Sequence, residues 1–496
     1  MTSSGSGARS PWPPYWVSIR NRRYARSGTG RNGRRAHHRR GTSRRPWTAA
    51  VDHKDGCRRI AVNTLGPMRQ RTYIDAAVAK IVFHSAAYFG DVMPYVPIAN
   101  ELARRGHDVT YALPAGFHEL LGGERFGLAD SGNPFCPAFV ANDPEHDFMV
   151  SKRGLTMAGA LTGRYYAKEF VVPYLRSGVA ALTAAADGAD LFVTHPMAGI
   201  ATRIASDHLG IPMVTGHLFP IMLPTRERPP PGVPASVGAV HDAMWSLTLL
   251  GARAAMFDSE INAYRKELGL EPIRAAVIRS ALHEGMLVLA SPTYTPPPSD
   301  WDPTWTTTGF TLWDGPDGVA LDPAVDAFLD AGDPPVLVSL GTSAASVARK
   351  VFETVAVRLD DRGVRGLFLV GSLDNVPPWL LDHPGVFEFA PLTAVLPRCR
   401  ALVQSGSHGT NAAALTAGVP VVTVPFLFDQ VWNGKRTEAL RLGRLVPARR
   451  RTERLWDALD DVLADDGYGR RAAAYALSLA DEDGVTVATD LIERRL

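Results

Sequence analysis

From about position 80 the chain alternates between short apolar runs and longer stretches in which apolar residues recur every three or four positions. Ile81–Ser85 is an apolar run and Ala86–Asp91 a loop; Val92–Arg105 is a helix whose Val92, Tyr95, Val96, Ala99, Leu102 and Ala103 form one stripe. Gly106 ends that helix, and Asp108–Leu113 is the next strand. The unit recurs, with Leu191–Thr194 as strand, Ala198–Leu209 as helix and Pro212–Thr215 as strand. Pro335–Leu340 opens a second series that runs to about Pro447. Strands that read as unbroken apolar runs between helices predict parallel sheets covered on both faces, so the fold class is α/β with two doubly wound halves. Pro292–Asp314, rich in Pro, Trp and Thr and poor in period, reads as the connection between the halves, and the proline-rich Pro220–Pro234 as a surface loop over a substrate cleft.

The densest information lies in residues 401–433. Ala401–Val403 is apolar, Ser405-Gly406-Ser407-His408-Gly409-Thr410 is a turn of small residues, an alanine-rich helix ends at Gly418, and Val419–Phe426 is apolar again. In a strand, tight loop and helix of this kind, the loop amides and the positive end of the helix dipole converge on one small volume, which suits a diphosphate. Asp429 and Gln430 follow the second strand, where a carboxylate and an amide suit sugar hydroxyls. Ligands of doubly wound sheets bind outside the carboxyl ends of the strands, and two such halves facing one another leave a cleft there.

This stretch resembles the donor-binding motif of nucleotide-sugar-dependent glycosyltransferases of the GT-B fold, the bacterial enzymes that decorate antibiotics and other lipophilic natural products and their sterol-glucosylating relatives. Val338-Ser339-Leu340-Gly341-Thr342 resembles the first strand and phosphate-side loop of their C-terminal domain, and Phe389-Ala390-Pro391-Leu392 through Leu396-Pro397-Arg398 the approach to the donor loop. Gly90-Asp91-Val92-Met93-Pro94, then Arg105-Gly106-His107-Asp108-Val109-Thr110, resembles their first loop, helix and second strand. The resemblance implies two facing Rossmann-like domains with an interdomain cleft. It also implies donor contacts at Gly341, Thr342, Ser343, Gly371, Ser405, Gly406, Ser407, His408, Gly409, Thr410, Asp429, Gln430 and Asn433; His195, by its position after the strand Leu191–Thr194, is an acceptor-side candidate, although a histidine at a strand end is more often structural.

Asp91 is the candidate base: many relatives carry histidine there, whereas sterol and glycopeptide branches carry aspartate after glycine. The competing reading is an N-cap, because the residue precedes a helix with proline in its first turn. A carboxylate at a helix N-terminus is a weak base toward an alcohol, so deprotonation would accompany C–O bond formation. The donor loop departs from the pattern, with Ser405 for a phosphate-binding histidine, Ser407 for glycine and Ala413 for a ribose-gripping glutamate. His408 could turn toward the phosphates in compensation. Two other motifs are chance matches: Gly28-Thr29-Gly30-Arg31-Asn32-Gly33 has no strand before it, and Asp300-Trp301-Asp302 lies among prolines and not at a strand end, so no metal is assigned.

Charge separates the N-terminus from the rest. Residues 1–67 hold 15 Lys or Arg against 2 Asp or Glu, leaving 38 basic and 48 acidic residues elsewhere. The stretch has neither apolar period nor spaced aromatics, which argues against a nucleic-acid arm, and no apolar h-region that would make it a secretory signal. It is expected to be disordered, or untranslated if synthesis begins near Met68. Three dispersed cysteines, Cys57, Cys136 and Cys399, suggest no disulfide framework and fit a reducing cytoplasm. No apolar run approaches the roughly 20 residues of a membrane helix.

The resulting expectation is a basic extension over 1–67, an acceptor domain over 68–300, a linker over 301–320, a nucleotide-sugar domain over 321–480, and a last helix over 481–496 that packs back on the N-terminal domain. The function expected is inverting, metal-independent sugar transfer from a UDP- or dTDP-sugar, as co-substrate and with no cofactor, to a hydroxyl of a small lipophilic acceptor. The alternatives are a catalytically impaired protein that activates another enzyme and a sugar-nucleotide epimerase.

Overall fold

The computed structural model describes residues 78–134, 167–220, 223–230, 257–283, 285–313, 321–341, 348–426, 428–447 and 451–496, with a few isolated positions between them. Residues 1–67 lie outside this set, as does the expectation placed on them. All strands described here are parallel and fall into two sheets. The N-terminal sheet contains β1 (Lys80–His84), β2 (Asp108–Leu113), β3 (Gly127–Asp130), β4 (Leu191–Thr194), β5 (Met213–His217), β6 (Leu287–Val288) and β7 (Thr306–Thr307), in the order β3-β2-β1-β4-β5-β6-β7. The C-terminal sheet contains β8 (Val336–Ser339), β9 (Gly366–Leu369), β10 (Val386–Phe387), β11 (Ala401–Gln404), β12 (Val421–Thr423) and β13 (Gly443–Leu445), in the order β10-β9-β8-β11-β12-β13. Each order reverses direction between its first strand and the fourth, β1 beside β4 and β8 beside β11, and that switch point is where doubly wound sheets open a crevice.

The strands form because β-branched and aromatic residues here are buried on both faces. Ile81, Val82 and Phe83 are fully covered, as are Val336, Leu337 and Val338. Core side chains divide accordingly. Ile81 and Phe83 pack with Val92, Tyr95 and Val96 on one face of the N-terminal sheet, and Val82 with Leu182, Phe192 and Ile204 on the other.

The helix expected over Val92–Arg105 is longer and broken. It starts at Phe89, passes through a 3₁₀ turn at Met93–Tyr95 and resumes as Val96–Arg104. Pro94 and Pro97 explain the break, since neither can donate the amide that a continuous α-helix requires. The predicted stripe faces inward all the same, with Val92, Tyr95, Val96, Ala99 and Leu102 at or near zero exposure.

A boundary needs correction. β7 pairs with β6 through Leu287↔Thr306 and Val288↔Thr307, so the N-terminal sheet extends into the segment expected as linker and ends beyond residue 300. Two-residue strands leave no periodic trace in a sequence. The expected last helix is present as Gly484–Glu493. Its Ala488 and Ile492 belong to the N-terminal core, and Arg105 after the Val96–Arg104 helix holds Asp490 and Glu493 at 2.7 and 2.8 Å. The chain thus returns to its first half after completing the second.

Candidate active site

At the carboxyl end of β1, the chain turns through Ser85–Tyr88 into the Phe89–Val92 helix. Tyr88, not Asp91, is the N-cap; the Asp91 amide is bonded to the Tyr88 carbonyl at 3.0 Å, which puts Asp91 in the first helical turn. The capping alternative therefore fails on geometry. His195 follows β4, the strand beside β1, and brings Nε2 to 3.6 Å from Asp91 Oδ1, facing it at slightly more than hydrogen-bond length. The Met197 amide donates to His195 Nδ1 at 3.3 Å, so in the neutral ring the proton sits on Nε2 and points at the carboxylate. Tyr95 stands edge-on to this imidazole with centroids 6.1 Å apart. His195 is fully buried, and desolvation, helped by His217 and His84, lowers its pKa to about 3. The imidazole is held neutral by burial, and it faces the carboxylate without a hydrogen bond to it. His195 thus belongs with Asp91; nothing in the sequence marked the pair, because the two residues come from different strand ends.

The C-terminal half presents its counterpart at the carboxyl end of β11. Gly406 has φ +91°, and a Cβ there would fall 2.7 Å from Thr423 Cγ2 and 2.8 Å from the Gln430 carbonyl, so only glycine lets the loop lie this close to β12 and the following helix. Gly341, at φ +71°, ends β8 close against the same loop; a Cβ on it would lie 3.5 Å from Ser407 Oγ and 4.0 Å from Ser405 Oγ. Ser407 is the N-cap of the His408–Ala417 helix, but its hydroxyl goes to Thr410 Oγ1 at 3.0 Å and caps no amide. The first-turn amides at His408, Gly409 and Thr410 are left to an external acceptor. Ser405 Oγ is buried and has no hydrogen-bond partner among the described residues, a costly state unless something else supplies one. An uncapped helix N-terminus beside an unpartnered hydroxyl is an anion-binding arrangement.

Other expected residues fall differently. His408 contributes its amide, while its ring turns away from the loop and packs edge-on between Phe219 and Phe310, at 6.1 and 5.7 Å, beside the Leu289 carbonyl. Apolar cover makes it neutral, with a pKa lowered to about 4, so the expected turn toward the phosphates is not what the ring does. Gln430 accepts the Phe426 amide at 2.8 Å, and Asn433 donates to the Gly406 carbonyl at 2.9 Å; in these bonds both brace the chain around the loop. Asp429 lines a tight pocket of about 10 Å³ where the halves meet, with Phe219, Tyr294, Thr295, His408, Asn411 and Trp432. Desolvation raises its carboxyl to about 6. Gly371, at φ +72°, ends β9 two strands from β11, bonded to the Glu388 carbonyl, as an ordinary strand-end turn would be. Ala413 is buried against the C-terminal core with Leu402 and Val421. Thr342 and Ser343 lie outside the described residues. The carboxylates of Asp300-Trp301-Asp302 are engaged locally, Asp300 by Thr225 and the Arg226 amide and Asp302 by Thr304.

Compared with solved structures, the chain aligns with the glycotransferase of kitacinnamycin over 84% of its own length and 99% of that chain, at TM-score 0.61 and 21% identity. The fold is GT-B. The calicheamicin glycosyltransferase gives TM-score 0.59 at 20% identity, with 85% of this chain and 98% of that one aligned. Residues 374–493 match the family described as erythromycin biosynthesis protein CIII-like, C-terminal domain. Among curated proteins, the O-mycaminosyltylonolide 6-deoxyallosyltransferase of Streptomyces fradiae is 29% identical over 420 residues, covering 82% of this chain and 94% of that protein. A sterol 3-beta-glucosyltransferase of Arabidopsis thaliana is 28% identical over 82% of this chain, which spans 64% of the plant protein. The resemblance read from Gly90-Asp91 and the 405–410 loop is therefore borne out for fold and kinship. No helix among the described residues is long and apolar enough to cross a membrane.

Proposed function

We propose that this GT-B chain transfers a sugar from a nucleoside diphosphate to a hydroxyl of a small apolar acceptor, with inversion and without a metal. The observation that carries the reading is the uncapped His408–Ala417 helix N-terminus beside the unpartnered Ser405 hydroxyl, in a fold whose relatives are named as glycosyltransferases. A related Streptomyces glycosyltransferase has been solved with thymidine diphosphate at TM-score 0.55, which agrees with a nucleoside diphosphate as leaving group.

In the proposed reaction the acceptor O–H faces Asp91. As its oxygen bonds to the anomeric carbon, its proton passes to the carboxylate, and the bond from that carbon to the diphosphate breaks on the opposite face. Charge arriving on the diphosphate meets the loop amides and Ser405, donors already fixed in place, so no reorganisation accompanies bond cleavage. His195 stays neutral and faces the Asp91 carboxylate with Nε2 at 3.6 Å, close enough to become its donor as charge shifts there.

Asp91→Asn tests this. Transfer should fall by at least ~100-fold, on the scale of a lost general base, while calorimetry still shows UDP or dTDP binding. Undiminished transfer in the variant would remove Asp91 from the chemistry. Failure of the unmodified protein to bind either nucleotide would remove the enzymatic reading. A protein that activates another enzyme, in contrast, would keep its stimulating effect after the substitution.

A further inference from the structure

One hydroxyl from the N-terminal half is built into the donor loop of the C-terminal half. Tyr294 lies between β6 and β7 and is 2% exposed, its ring edge-on to Trp432 at 5.9 Å and tilted against Phe310 at 6.1 Å. Its hydroxyl is 3.3 Å from Asn433 Oδ1 and 3.2 Å from the Asn433 carbonyl. The Asn433 amide nitrogen in turn donates to the Gly406 carbonyl at 2.9 Å. On the other side of the loop, Gln404 Nε2 donates to Asn411 Oδ1 at 3.0 Å.

The polar groups that cross between the halves therefore run in a single direction, Tyr294 to Asn433 and Asn433 to Gly406, while Gln404 to Asn411 is a separate bond at the base of the same loop. Each donor in that order meets an acceptor, and the Tyr294 hydroxyl is the donor that the N-terminal half supplies. The relay ends inside the turn that follows β11, so it reaches the donor loop from the other half. Asn411 and Asn433 are almost fully buried, which makes an unmatched partner expensive.

We propose that Tyr294 is a positioning residue for the nucleotide, fixing the Gly406 turn from the opposite half so that the donor site is complete only when the two halves are together. This rests on the reading of the 405–410 loop as the diphosphate site.

The test is Tyr294→Phe, which keeps the ring and removes the hydroxyl. Nucleotide dissociation constants for UDP and dTDP are measured by calorimetry, with donor and acceptor KM values and the thermal midpoint alongside. The expected result is a rise of about tenfold or more in nucleotide Kd and donor KM, the size of one buried polar group losing its partner, with acceptor KM unchanged. Asn433→Ala should weaken nucleotide binding similarly, and the double variant should add little to either change. An unaltered nucleotide Kd in Tyr294→Phe overturns the proposal, including the case in which only the thermal midpoint drops. Strictly additive effects in the double variant overturn it too. If the unmodified protein binds neither nucleotide, the donor-site reading falls and takes this inference with it.

Discussion

Gly406 shows how much a single residue constrains the site. With φ +91° and a Cβ position already occupied by Thr423 and the Gln430 carbonyl, any side chain there must push the loop off β12. Gly406→Ala is expected to cost about 1–3 kcal/mol in urea unfolding and to weaken nucleotide binding more than tenfold. The imidazoles under the acceptor side make a second residue-scale prediction. His84, His195 and His217 are buried and neutral, with desolvation lowering their pKa values from 6.5 to about 4, 3 and 4. His84 faces Thr202 Oγ1 at 2.8 Å and His217 faces the Ala281 carbonyl at 2.6 Å, so no buried carboxylate partner offsets protonation of either ring in these bonds. The unfolded chain takes up these protons near 6.5 and the folded chain resists until far lower. Their stability contribution is therefore complete above pH 6.5 and is lost as pH falls toward 4. Urea midpoints measured across that range should drop steeply, and a flat profile would contradict the burial.

Among elements, the final helix carries a load that its position at the chain's end conceals. Ala488 and Ile492 complete the N-terminal core, and Arg105, 11% exposed at its side chain, is fixed by Asp490, Glu493 and Glu101. Burying an Ile side chain stabilises by about 1.5–3 kcal/mol, so removing residues 481–496 should lower the thermal midpoint by several degrees or more and expose apolar surface to a dye such as ANS. Arg105→Ala should have a smaller effect, because partly exposed ion pairs contribute little individually. This helix was legible in the sequence. So were β2 and β4, which match the expected bounds residue for residue, because buried parallel strands write an unbroken apolar run. The break at Met93–Tyr95 and the strands β6 and β7 were not: the first depends on where two prolines fall within a helix, and the others are two residues long and defined by their neighbours.

For the molecule as a whole, the contact of Phe219 with His408 and the relay through Tyr294 tie the two halves together around the tight pocket at Asp429. Nucleotide binding should accordingly slow amide exchange at 403–411 and at 289–295 together. Protection confined to the C-terminal segment would show that the halves respond independently.

Sequence alone determined the two series of strands and helices and the glycine-bounded loop after β11, because each is written in local periodicity or in residue types that only one backbone geometry accepts; Asp91 was singled out by resemblance, and its place inside the first helical turn came from the structure. Only the tertiary structure decided that Asp91 faces His195, that the His408 ring leaves the loop for Phe219 and Phe310, and that Tyr294 completes a hydrogen-bond chain in the other half. Those pairings join residues remote along the chain, and a side chain's direction is set by which neighbour can satisfy it once the cores are packed.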